Sequence, residues 1–155
     1  LMIIRDALPK DLEDIVRLEK ISFTYPYPPH CLGVLIRHAL CLVAFEGNQL
    51  VGYATATLDQ GKGHILSMAV DPAFRRRGIG TALLKALLNR LKGVDTILLE
   101  VREGNEAGRH LYGSQGFMVT GRMLNYYPDG EGALVMSKRF KHGDVDKHGN
   151  VGVCS

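Results

Sequence analysis

At Asp71-Pro72 the hydrophobic pattern of this chain changes. Before that point come short apolar runs broken by turn residues. Residues 40–45, 50–58 and 64–70 read as strands, separated by Glu46-Gly47-Asn48 and Asp59-Gln60-Gly61-Lys62-Gly63. Runs this short joined by turns this tight form an antiparallel meander. Beyond the break, Ile79, Leu83, Leu84, Leu87, Leu88 and Leu91 recur at helical spacing and give a wide apolar face. A strand over 96–101 follows, then a helix over 105–114 that Gly108 weakens and Gly116 stops. Residues 117–126 and 133–137 are the last strands, around the turn 128–132. Upstream, residues 2–5 read as an opening strand. Pro9-Lys10-Asp11 starts a helix carrying Leu12, Ile15, Val16 and Glu19 at helical spacing. The prolines of 23–30 break it, and a short helix covers 32–38. Seven strands and about four helices in this order predict an α+β (mixed α/β) fold: one mostly antiparallel sheet with helices packed on it.

The length, 155 residues, favours one domain able to bury a core without staples. A net charge of +3 is mild; it helps attract an anionic ligand and is no sign of sequence-specific nucleic-acid binding. Cys31, Cys41 and Cys154 are odd in number and widely spaced, which fits free thiols in a reducing compartment. No signal peptide and no membrane-spanning run is expected, so the cytoplasm is the expected location. Residues 141–155 form a polar, Gly-rich tail, expected to be mobile and separate from a domain over 1–140. His142, His148 and Cys154 in it match no standard metal spacing, and no metal is expected.

The break itself is the first candidate site. Arg75-Arg76-Arg77-Gly78-Ile79-Gly80-Thr81 lies between the end of a strand and the start of a long helix. A helix N-terminus has unpaired N–H groups and a partial positive charge, glycines let a phosphate come close, and arginines add charge. The loop is therefore an anion cradle. It lacks the lysine of a Walker A loop and the third glycine of a dinucleotide fingerprint, where Leu83 stands. A plain basic turn is the bland alternative.

The second candidate is Glu100, a carboxylate inside an apolar strand, where a charge is costly unless paired or functional. An apolar setting disfavours its charged form and suits a general base. Asn105 fits a helix N-cap, and Tyr112 lies two turns further along. A carboxylate to deprotonate and a phenol to protonate is a useful pair. A solvent-facing glutamate and a core tyrosine is the bland reading. Tyr126 and Tyr127, before a tight turn, and Tyr25 and Tyr27, among prolines, could wall a peptide slot.

Met68-Ala69-Val70-Asp71-Pro72 followed by Arg75-x-x-Gly78-x-Gly80 resembles the acetyl-CoA signature of the GCN5-related N-acetyltransferase (GNAT) superfamily. Leu99-Glu100-Val101-Arg102, Asn105, Leu111-Tyr112 and Gly116-Phe117 are similar to the ribosomal-protein alanine N-acetyltransferases and archaeal protein N-terminal acetyltransferases. The resemblance implies a sheet splayed between its fourth and fifth strands with acetyl-CoA in the gap. The backbone amides of 76–81 would hold the pyrophosphate, and Met68, Ala69 and Val70 would pair with the pantetheine arm. N–H groups near Ala69 and Val70 would stabilise the oxyanion, and Asn105 would contact the cofactor. It further implies Glu100 as base, Tyr112 as acid, and Tyr25, Tyr27, Tyr126 and Tyr127 around the acceptor. Acceptors would be protein or peptide N-termini, nascent chains at the ribosome included. A small amine, a lysine side chain, or a non-catalytic binding module remain alternatives. Gly132 departs from the family, which often has Asp there, and the 23–30 loop lacks the glutamate of the eukaryotic relatives.

Overall fold

The computed structural model describes the backbone of residues 1–145 and 151–154 and the side chains of residues 1–140. The elements follow the expected order: β1 (Met2–Asp6), α1 (Leu12–Ser22), α2 (Pro29–His38), β2 (Leu40–Glu46), β3 (Gln49–Asp59), β4 (Lys62–Val70), α3 (Ile79–Arg90), β5 (Thr96–Arg102), α4 (Glu106–Ser114), β6 (Met118–Met123), β7 (Ala133–Arg139), β8 (Lys141–Val145) and β9 (Val151–Cys154). A seven-stranded sheet runs β1-β2-β3-β4-β5-β7-β6. Its ladders are antiparallel at β1–β2, β2–β3, β5–β7 and β6–β7. The β4–β5 ladder is parallel, and its register covers only Lys62, Gly63 and His64 against Thr96, Ile97 and Leu98.

The chain divides into two compact units, Leu1–Thr57 with Ile65–Lys92, and Leu58–His64 with Gly93–Ser155. In the first, Ile15, Leu18, Leu32, Cys41, Val43, Leu50, Tyr53 and Ala69 form a core cluster. The apolar face of α3 (Ile79, Leu83, Leu84 and Leu87) is buried, and the helix packs on β2. Gly52 on β3 lies close against that helix. A Cβ there would stand 2.8 Å from a Leu83 methyl and 3.2 Å from the Ala69 carbonyl oxygen. The Leu83 methyl can rotate, but the carbonyl is backbone. Gly52→Ala is expected to lower stability by about 1–3 kcal/mol through overpacking, read as a lower denaturant midpoint at unchanged slope.

In the second unit, β5 alternates between its two faces. Ile97, Leu99 and Val101 are buried, while Thr96, Leu98, Glu100 and Arg102 are partly exposed. Phe117, Ala133 and Met136 complete the buried side. Glu100 is thus not sealed in the core, as its apolar sequence neighbours suggested. The period-two alternation places it on the opposite face from them.

Two local differences have simple causes. The second helix begins at Pro29, before the expected 32, because proline suits a first helical position. Within the tail, expected to be mobile, residues 141–145 and 151–154 form the antiparallel pair β8–β9, with Val145 paired to Val151 and His142 to Val153. Valines favour extended backbone and outweigh the glycines around them. Among the described residues no helix is long and apolar enough to cross a membrane. The metal reading of His142, His148 and Cys154 lies outside the described side chains.

Candidate active site

The basic loop belongs to the first unit. Asp71 closes β4, and its carboxylate accepts from the Ala73 N–H at 3.0 Å, starting a 3-10 turn over Pro72–Phe74. Arg76 (φ 64°) and Gly78 (φ 79°) are left-handed, so the backbone reverses twice before α3. Such alternation turns successive N–H groups towards one side, an anion-binding arrangement. The first turn of α3 has no side-chain cap, which leaves its N–H groups available. Arg75, Arg76 and Arg77 are exposed, and among the described residues no carboxylate pairs with them; Arg77 lies 4.9 Å from the Phe74 ring centre. Ile79 is buried and anchors the loop, so it can offer a ligand only its backbone; Gly80 and Thr81 are half-buried. On β4, Ala69 faces the core while Met68 and Val70 are partly exposed. All three lie beyond the segment registered with β5.

The first unit also holds the loop between α1 and α2, with Tyr25 and Tyr27 partly exposed on it. Beneath it sits a group that sequence reasoning counted only as part of a helical stripe. Glu19 is 2% exposed. Its Oε1 accepts from the Tyr27 backbone N–H at 3.0 Å. Its Oε2 accepts from the Tyr53 hydroxyl and from Ser67 Oγ at 3.0 Å. Tyr53 Oη and Ser67 Oγ are also 3.0 Å apart. Burial pushes the Glu19 carboxyl above its ordinary range, against the pull of the Tyr27 and Ser67 bonds.

The second unit assembles the groups expected to move protons. Glu100 Oε2 lies 2.6 Å from His64 Nε2, with side chains 22% and 36% exposed. His64 was read only as the start of a strand. Its part appears once the register sets it beside Leu98, two residues from Glu100 on the same face of β5. Tyr126 and Tyr127 stack edge to face with centroids 4.9 Å apart. Burial, then the nearby Glu100 carboxylate, raises the Tyr126 hydroxyl above its usual range. Burial likewise leads in raising Tyr127, where Arg102 pulls the other way. Tyr112, on α4, meets Phe117 edge-on at 5.9 Å. Burial and then Tyr127 push its phenol up to about 12, so it stays protonated at neutral pH.

The hairpin carrying Tyr126 and Tyr127 is fastened to β5. Arg102 Nη1 donates to Asp129 Oδ2 at 2.9 Å and Glu131 Oε1 at 2.6 Å, and its guanidinium lies 3.9 Å from the Tyr127 ring centre. Glu131 Oε2 accepts from the Gly104 N–H at 2.9 Å. Gly132 has a structural reason: a Cβ there would lie 2.7 Å from Glu103 Oε1 and 3.1 Å from the Met123 carbonyl oxygen. An aspartate would add a like charge beside Glu103, whose carboxylate is held by Arg122. Asn105 is the N-cap of α4 and accepts from the Gly108 N–H at 2.9 Å. Gly108 leaves room for that cap, since its Cβ would stand 2.7 Å from Asn105 Nδ2.

The structure thus places 68–70, 75–81, Tyr25 and Tyr27 in one unit, and Glu100, His64, Tyr112, Asn105, Tyr126 and Tyr127 in the other. The chain is 38% identical over 143 residues to an uncharacterized N-acetyltransferase of Methanocaldococcus jannaschii, covering 89% of this chain and 92% of that protein. It is 32% identical over 151 residues to an N-alpha-acetyltransferase of Sulfurisphaera tokodaii, covering 86% and 90%. Among solved structures, the ribosomal-protein-S18-alanine N-acetyltransferase of Escherichia coli superimposes with a TM-score of 0.84 at 29% identity, covering 90% and 94%. The pattern of the Acetyltransferase (GNAT) family matches residues 12–117, and the chain belongs to that family of acetyltransferases.

Proposed function

We propose that this chain, through residues 1–140, transfers acetyl from acetyl-CoA to the α-amino group of proteins or peptides. The observation that carries the reading is the His64–Glu100 pair, in a unit that also holds a protonated Tyr112 and a tyrosine pair locked by Arg102. The relatives named for N-terminal and S18-alanine acetylation support the acceptor.

The basic loop fits the co-substrate. It offers outward arginines, uncapped N–H groups at α3 and, at Gly78, a position where an added Cβ would meet nothing within 4 Å. The amides of 76–81 would take the pyrophosphate, and Met68, Ala69 and Val70 the pantetheine arm, as an added strand. N–H groups near Ala69 and Val70 would stabilise the oxyanion. Acetyl-CoA supplies an activated acyl group as a thioester. Glu100, through a water and backed by His64, takes one proton from the acceptor ammonium. The neutral amine then attacks the thioester directly, the carbon–sulfur bond breaks as Tyr112 gives its proton to the departing sulfur, and the proton shed by the new amide nitrogen returns through water to Tyr112. The described cysteines are not needed. Cys41 is buried with its thiol pushed up to about 12, chiefly by burial and further by Asp11 and Asp6. Asn105, engaged as a helix cap, would meet the cofactor only through its remaining amide group.

The test is a peptide panel with free or blocked N-termini, with and without lysine, incubated with acetyl-CoA and read by mass. Acetyl is expected on free N-termini only. Acetylation of blocked, lysine-bearing peptides assigns the enzyme to side chains instead, and turnover of small amines alone moves it to metabolite chemistry.

A further inference from the structure

We propose that Glu19 is a positioning residue that anchors the Phe23–Pro28 loop and thereby sets which N-terminal residues the enzyme accepts; this rests on the acceptor reading above. Glu19 carries a carboxyl group and is deeply buried, and no cation pairs with it among the described residues. A lone buried carboxylate is expensive, and an apolar residue of similar volume would usually serve packing as well. What the carboxylate adds is three convergent bonds with a clear division of labour. Oε2 takes the two hydroxyls of the sheet, Tyr53 on β3 and Ser67 on β4. Oε1 takes only the loop, through the Tyr27 N–H.

Prolines at 26, 28 and 29 carry no N–H, so Tyr27 lies between residues that cannot donate. Beyond the Phe23 N–H, which caps α1 on the Glu19 carbonyl at 3.1 Å, the Tyr27 N–H reaches α1 through the Glu19 side chain. The bond fixes backbone and leaves the rings of Tyr25 and Tyr27 facing outward, partly exposed. Ser67 immediately precedes Met68, so the same carboxylate ties the loop to the strand segment assigned to the pantetheine arm. Glu19 does not touch substrate. It sets the height of one wall of the acceptor slot relative to β4.

Three proteins test this: wild type, Glu19→Met and Glu19→Gln. Methionine keeps the length and volume but accepts no comparable bond. Glutamine can turn its oxygen to the Tyr27 N–H and its NH2 to the hydroxyls, which can accept. Peptide turnover by wild type is established first, so that a failure of the acceptor reading is seen separately. In wild type, the Tyr27 amide is expected to exchange with solvent about 100-fold more slowly than that of Thr24 in the same loop. This measurement needs no variant to fold, and equal rates would overturn the anchor. In Glu19→Met the protection is lost and the peptide KM rises about tenfold, the worth of one bond to a charged group. kcat and the acetyl-CoA KM stay within about threefold, and selectivity across peptides varied at their first two residues narrows about tenfold. Glu19→Gln restores protection, KM and selectivity to within about threefold of wild type. Retained Tyr27 protection in Glu19→Met, or lost protection with unchanged selectivity, refutes the proposal.

Discussion

Replacing Glu100 by Gln is expected to lower kcat for peptide acetylation by about 10²–10³-fold while the acetyl-CoA KM changes less than about threefold. The substitution keeps the shape of the side chain and its capacity to bond His64, so the 2.6 Å contact can persist as a neutral hydrogen bond. What is removed is the ability to take a proton from the acceptor ammonium. Single-turnover rates with saturating acetyl-CoA isolate that step. His64→Gln should cost less, about tenfold, because His64 acts on Glu100 rather than replacing it. The double variant should be little slower than Glu100→Gln alone, since residues that work as a unit are not additive. Tyr112→Phe should lose about 10–100-fold in kcat, evenly from pH 7 to 10. The even loss follows from sign. A phenol raised to about 12 is protonated throughout that window, so its contribution does not titrate there. Full activity in Glu100→Gln would remove the proposed base. A loss at Tyr112 confined to acidic pH would remove the proposed acid.

Local pattern made much of this legible in the sequence. The leucine stripe of α3 and the glycines and arginines before it are short-range signals that marked the basic loop, a carboxylate in an apolar run marked Glu100, and the resemblance marked Tyr112, whereas the alternation of β5 that turns Glu100 to the exposed face shows only in the structure. Gly108 shows where such signals mislead. As a helix-weakening residue it looked like a cost, yet it makes room for the Asn105 cap three residues earlier. His64 and Glu19 were hidden for a different reason. Their partners Glu100 and Tyr53 lie 36 and 34 residues away, and strand register for His64 and the packing of α1 against the sheet for Glu19 bring them together. Glu19 did leave one trace: a carboxylate in a stripe with Leu12, Ile15 and Val16 is a charge on a buried face. His64 left none, because a histidine opening a strand is ordinary until a parallel neighbour supplies the carboxylate. Gly132 was visible as a departure from its relatives, but the cause, a crowded Glu103 carboxylate and the Met123 carbonyl, is three-dimensional.

Gly78→Val should weaken acetyl-CoA binding about 100-fold, measured by calorimetry, while free-protein stability falls by about 1–3 kcal/mol. Gly78 has φ 79° and ψ 10°, a conformation that a β-branched residue strongly resists. In the free protein an added Cβ meets no atom within 4 Å, so the cost is one of backbone angle rather than crowding. Valine can relieve it by leaving the left-handed region. That turns the peptide planes entering α3 and misaims the N–H groups of Ile79, Gly80 and Thr81. Each charge-assisted bond to phosphate is worth about 1.5–3 kcal/mol, so misaiming one or two accounts for the expected loss. Gly78→Asn separates the two possible causes, because asparagine tolerates the left-handed region. If angle is decisive, Asn binds within about tenfold of wild type; if close approach of the phosphate is decisive, Asn fails as badly as Val. Binding by Gly78→Val within threefold of wild type would show that the loop is not the phosphate cradle, and would leave the three exposed arginines without their proposed ligand.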